Sequence, residues 1–197
     1  ILAMVSNPSY DATGFSGGAR VPYSFALNKK DFPGVIPCGA SFPSRTEVPV
    51  ANSKLLVCGI VGVECFNLPE MFGMETTLRT LHLRNRLLVF PGGHAWPPEE
   101  YAYRAARYLE LEARCKAGRA GEESSLALLD EEFALAEPLL GEGQTLYEGY
   151  SILKEWEPLF KDTPRHEKFA ARVAQVEASE EFKKEDAANQ AVQKVRE

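Results

Sequence analysis

Apolar residues in the first half of the chain come in short runs, separated by glycine, proline and polar turns. Such runs with turn signals at both ends read as strands, and apolar spacing of three and four residues reads as a helix facing a sheet. On that basis 10–15 predicts a strand, 34–42 a second, 54–63 a third and 86–90 a fourth. The third contains Leu55-Leu56-Val57-Cys58-Gly59-Ile60-Val61, apolar on both faces, as a buried parallel strand requires. Between the strands, 19–28 predicts a helix with Val21, Phe25 and Leu27 towards the sheet and Pro22 confined to its first turn. A second helix is expected over 70–83, carrying Met71, Met74, Leu78 and Leu81. Alternating strands and helices imply a parallel α/β sheet.

The second half carries almost no strand pattern. Tyr101, Ala105, Tyr108 and Leu109 recur at helical spacing over 99–117, after Pro97-Pro98 and two first-turn glutamates. Gly118 and Gly121 break this helix, and further helices are expected at 122–137, 145–161, 165–176 and 179–196. Ser179 followed by Glu180 and Glu181 has the form of an N-cap with an acidic first turn. The aromatics of this half (Tyr101, Tyr108, Phe133, Tyr147, Tyr150, Trp156, Phe160) read as core rather than as a binding face. No 34-residue repeat is present. The expected organisation is an α/β domain over 1–110 and an all-α extension over 111–197.

Charge divides the chain at the same place. Residues 1–98 hold eight Lys/Arg against six Asp/Glu, a net of +2; the remainder hold fourteen against twenty-two, a net of −8. The overall charge of −6 argues against a nucleic-acid partner, which selects a basic surface. No apolar run is long enough to span a bilayer, and the start Ile1-Leu2-Ala3-Met4-Val5 is too short for a signal peptide and reads as a truncated strand. Residue 1 is not methionine, so the chain reads as a piece of a longer protein; its compartment stays open. Cys38, Cys58, Cys65 and Cys115 show no C-x-x-C spacing, so no zinc site is expected. They read as buried free thiols, with a disulfide between two of them left open.

The candidate chemistry lies at the ends of the first and last strands. Gly14-Phe15-Ser16-Gly17-Gly18 has the G-x-S-x-G spacing of a nucleophile elbow, between a predicted strand and a predicted helix. Glycines on both flanks suit a turn with no room for a Cβ beside the serine. In such a site Ser16 attacks an acyl carbonyl and the Gly17 N–H donates to the developing oxyanion. His94, in Phe90-Pro91-Gly92-Gly93-His94, follows an apolar strand where the base would lie. His82 and His166 fall in helical stretches and read as surface residues. The acid that orients the base belongs between serine and histidine in this chain order, and the loop 62–70 is the place for it. Glu64, Glu70, or no carboxylate at all are the possibilities there.

The segments 14–20, 34–40, 62–71 and 90–98 together resemble the C-terminal half of an α/β-hydrolase. They are most similar to bacterial esterases of the dienelactone hydrolase and prolyl-oligopeptidase-like group. The resemblance covers about residues 8–110 and implies hydrolysis of an ester through an acyl-enzyme, a small-molecule acyl substrate and no cofactor or metal. It carries Ser16 and His94 onto the nucleophile and base positions. Three residues after its glycine the family loop has an aspartate, and this sequence has Cys65 there, with Glu64 adjacent as the candidate acid. A thiol cannot hold an imidazolium as a carboxylate does. The strands that precede the elbow in the family are absent, which implies residues upstream, a homo-oligomer, or a partner chain completing the sheet. The competing reading is a catalytically weak pseudo-hydrolase or scaffold whose helical tail binds a protein partner.

Overall fold

A computed structural model describes residues 11–28, 32–42, 54–141 and 146–187. The expected strand at 1–5 and the end of the last helix lie outside these residues. Contacts divide the chain into two compact units, Ile1–Ala113 and Arg114–Glu197.

The first unit contains a four-stranded parallel sheet: β1 (Ala12–Phe15), β2 (Gly34–Cys38), β3 (Leu56–Gly62) and β4 (Asn85–Phe90), in that spatial order. Its helices are α1 (Arg20–Asn28), α2 (Leu68–Thr80) and most of α3 (Glu99–Lys116). The registers place Gly14 beside Pro37, Cys38 beside Ile60 and Gly62 beside Phe90, so all four strands end on one edge of the sheet. Every residue of β3 is buried, as its two-faced apolar pattern predicts.

One helix is phased differently from its predicted face. A 3-10 turn at Ser16–Ala19 precedes α1 and resets the rotation at which that helix starts. Ala19, Tyr23, Ala26 and Leu27 are buried, whereas Val21 and Phe25 point to solvent. In α2, Met71, Met74 and Leu78 are buried against the same core cluster as Tyr23 and Cys65.

His82 is not helical. The Leu83 N–H bonds the Leu78 carbonyl at 2.9 Å and the His82 N–H bonds the Arg79 carbonyl at 2.9 Å, the two bonds of a Schellman ending. His82 occupies its left-handed position at φ 55°, where a Cβ costs about 1 kcal/mol or more. His82→Gly is therefore expected to stabilise the fold by about 0.5–1 kcal/mol, read as a higher urea midpoint at unchanged slope.

Helix α3 is tied to β4 from one side of its length. Arg84 donates through Nε to the buried Glu112 carboxylate at 2.8 Å, and the Arg86 guanidinium lies 4.5 Å over the Tyr108 ring. The second unit contains α4 (Glu123–Ala136), α5 (Leu146–Trp156) and α6 (His166–Ala178), followed by helix over 180–187. Leu129, Phe133, Leu153, Trp156, Phe160 and Phe169 are buried. The Trp156 indole N–H donates to Glu132 at 2.8 Å. Ser179 Oγ accepts the Phe182 N–H at 3.2 Å, the expected capping contact. Among the described residues no helix is long and apolar enough to cross a membrane.

Candidate active site

The turn after β1 holds Ser16 at φ 52°, a conformation that L-residues other than Asn and Asp seldom adopt. The chain then curls back so closely that a Cβ on Gly14 would lie 2.4 Å from the Gly18 carbonyl oxygen. Glycine at 14 is thus required by space. Gly17 and Gly18 are not: a Cβ on either meets nothing within 4 Å, so only one flank of the pattern is sterically constrained.

His94 arrives from the other side of the sheet, in the loop after β4. That loop is fastened to the end of β3: the Val63 N–H bonds the Phe90 carbonyl and the Glu64 N–H bonds the Gly92 carbonyl, each at 2.9 Å. Gly62 permits the approach, because a Cβ there would stand 2.3 Å from the Gly93 oxygen and 2.4 Å from the Gly92 oxygen. The result brings His94 Nε2 within 2.9 Å of Ser16 Oγ, across 78 residues of sequence. A Gly62→Ala change must push the 92–94 backbone outward. Displacements near 1 Å cost about 10²-fold in rate at such sites. Reaction of Ser16 with a phosphonate is expected to slow by that order, while far-ultraviolet circular dichroism stays native.

Cys65 faces the other ring nitrogen. Its Sγ lies 3.1 Å from His94 Nδ1, and the residue is only 4% exposed. The Cys65 N–H bonds the Gly62 carbonyl and its carbonyl accepts the Leu68 N–H, which fixes the turn before α2. The amide of Asn67 in the same turn donates to the Gly39 carbonyl at 2.7 Å. Glu64 is exposed, and the structure places Cys65 rather than Glu64 against Nδ1. Val63 and Glu64 are the exposed central residues of the turn that the Cys65 N–H closes on the Gly62 carbonyl, and Cys65 leaves that turn into the apolar core. Glu70 is held elsewhere: it accepts both contacts of Arg20 Nη2, at 2.9 and 3.2 Å, and the Ser41 N–H at 2.8 Å.

A thiol and a carboxylate do not act alike at Nδ1. An ionised carboxylate only accepts, which places the ring proton on Nδ1 and leaves Nε2 free to take a proton from a serine. A thiol can also donate, and a donated S–H forces the ring proton onto Nε2, where it faces Ser16 and blocks base action.

Rings surround the imidazole. Phe15 and Phe66 have centroids 4.8 and 4.3 Å from the His94 ring, and Trp96 packs on Phe15 at 5.4 Å. Gly39, at φ 65°, keeps this space open: a Cβ there would sit 3.2 Å from Phe15 and 3.5 Å from His94. The site therefore draws on the carboxyl ends of all four strands, the edge of an open α/β sheet where ligands bind.

No family model matches the chain, and no curated protein matches it. It is similar to two solved structures. One, from Klebsiella pneumoniae subsp. pneumoniae MGH 78578, is assigned as a dienelactone hydrolase. The match is at 20% identity and a TM-score of 0.41, over 53% of this chain and 51% of that one. The other is the apoenzyme of S-formylglutathione hydrolase (FrmB) from Staphylococcus aureus, at 17% identity and a TM-score of 0.38, over 52% of this chain and 49% of that one. The chain spans about half the length of each.

Of the residues singled out in the sequence, the structure brings Ser16 and His94 together, sets Gly17 in the 3-10 turn that begins at the serine and leaves Glu64 at the surface. Sequence reasoning passed over Phe15, Phe66 and Trp96, although each is within two residues of Ser16, Cys65 or His94. None of the four cysteines is joined in a disulfide. Burial pushes the Cys38 thiol up to about 11, and Cys115 is partly exposed. Iodoacetamide at pH 8 should therefore alkylate Cys115 well before Cys38, resolved by peptide mass spectrometry.

Proposed function

We propose that this chain carries the reacting centre of a serine hydrolase of the α/β-hydrolase type, acting on ester bonds. The observation that supports this most is the 2.9 Å approach of His94 Nε2 to a Ser16 Oγ held on a left-handed turn. Ser16 Oγ attacks the acyl carbon while Nε2 takes its proton, and the carbonyl electrons move to an oxyanion that the Gly17 N–H stabilises. Collapse of this intermediate breaks the bond to the leaving oxygen, which receives the proton from Nε2. Water then attacks the acyl-serine with His94 as base, releasing the acid and restoring Ser16.

The expected triad acid, Glu64, stands at the surface, and these steps run in the tautomer in which Cys65 Sγ accepts the Nδ1 proton and leaves Nε2 free. With a thiol there, the base is oriented weakly and turnover is slow. In a serine protease, converting the triad carboxylate to an amide lowers kcat by about 10⁴. That same contact favours the second reading, a pseudo-hydrolase whose helical unit binds a protein. A fluorophosphonate distinguishes them. The hydrolase reading expects a covalent adduct on the Ser16 peptide, absent in Ser16→Ala and slowed in His94→Ala. A folded chain that gains no adduct would leave the scaffold reading standing.

A further inference from the structure

Phe66 and Trp96 are the two most exposed large apolar side chains among the described residues, at 73% and 60%. Both belong to the ring cluster around the base: Phe66 packs directly on His94, and Trp96 reaches it through Phe15. Phe25 and Tyr103 are also exposed in this unit, so exposure alone marks nothing; Phe66 and Trp96 differ in combining it with membership of the ring cluster on His94, and that combination marks a binding surface.

The chemistry says which part of a substrate meets them. The leaving oxygen must come within hydrogen-bond reach of Nε2 to collect its proton. Rings packed on that imidazole therefore border the leaving group, not the acyl chain. Charge narrows the class further. Arg20, the cation nearest to Ser16 in sequence, is bound to Glu70 and donates to the Phe42 carbonyl, and the exposed charge beside Cys65 is the Glu64 carboxylate. Neither would hold an anionic substrate.

Resting on the hydrolase reading, we propose that Phe66 and Trp96 form a leaving-group subsite for an alcohol that bears an aryl ring and no anionic group. Flat rings at tilted or offset stacking distances gain more from an aromatic partner than from an aliphatic one of equal size. The matched probes are 2-phenylethyl acetate and 2-cyclohexylethyl acetate, whose alkoxides have nearly equal basicity. The expected kcat/KM ratio favours the aryl ester by about tenfold, and Phe66→Ala or Trp96→Ala each bring it towards unity. Taking the ratio cancels any effect of these changes on His94 itself.

A second arm needs no turnover. In Ser16→Ala, titration with 2-phenylethanol should shift the Trp96 indole N–H resonance and leave that of the buried Trp156 in place. Hydrolysis of both esters at equal kcat/KM, with an unmoved Trp96 signal, would overturn the subsite. A shifted Trp96 signal without turnover by the unmodified chain would sink the hydrolase reading while keeping an aryl-binding rim.

Discussion

Replacing Cys65 with aspartate is expected to raise esterase activity by about 10- to 10³-fold. The sulfur stands 3.1 Å from Nδ1, and an aspartate oxygen reaches slightly further from the same Cβ, into ordinary hydrogen-bond range. As an acceptor only, the carboxylate selects the tautomer with Nε2 free and stabilises the imidazolium as it forms. The upper limit is the factor of about 10⁴ that an orienting carboxylate provides in a complete triad. The gain falls below it because Cys65 is part of the apolar core and the new charge is partly desolvated. The same desolvation predicts a loss of about 1–3 kcal/mol in stability, seen as a lower Tm. Cys65→Ser is the control, since a hydroxyl donates as readily as a thiol and should bring no increase. A folded, destabilised Cys65→Asp protein with unchanged activity would mean that His94 orientation does not limit the reaction.

The second large effect is the loss of activity in Ser16→Ala. Removing the nucleophile from a complete triad costs about 10⁶ in kcat, and the orienting acid accounts for about 10⁴ of what such a triad achieves. With a thiol at Nδ1 the expected loss here is therefore about 10²-fold, measured as initial rates on p-nitrophenyl acetate. In the Cys65→Asp background the same Ser16→Ala change should cost more, because triad members act as a unit. Additive effects in this double-mutant comparison would contradict a shared mechanism.

Much of this fold is legible in the sequence because burial on two faces leaves a strong pattern. The run from Leu55 to Val61 reads as a central parallel strand, and β3 is buried throughout. The phase of α1 is not legible, because the 3-10 turn at Ser16–Ala19 rotates the helix after the point where its apolar spacing is counted. His82 reads as helical because helical spacing continues through Leu81, while the left-handed ending at φ 55° depends on backbone bonds that no periodicity reports. At the candidate site, the two residues that meet, Ser16 and His94, both lie in glycine-flanked motifs visible in the sequence. Which of Glu64 and Cys65 turns inward is decided by packing against the core cluster, and spacing alone does not resolve neighbouring residues in a loop.

The most direct test of a reacting Ser16–His94 pair is to trap the acyl-enzyme with an activated acetyl ester and locate the acyl group by peptide mass spectrometry. Such a pair acting on esters places the acetyl group on the Ser16 peptide, with no such adduct in Ser16→Ala. Acetylation of Cys65 instead, which also lies against His94, would contradict it.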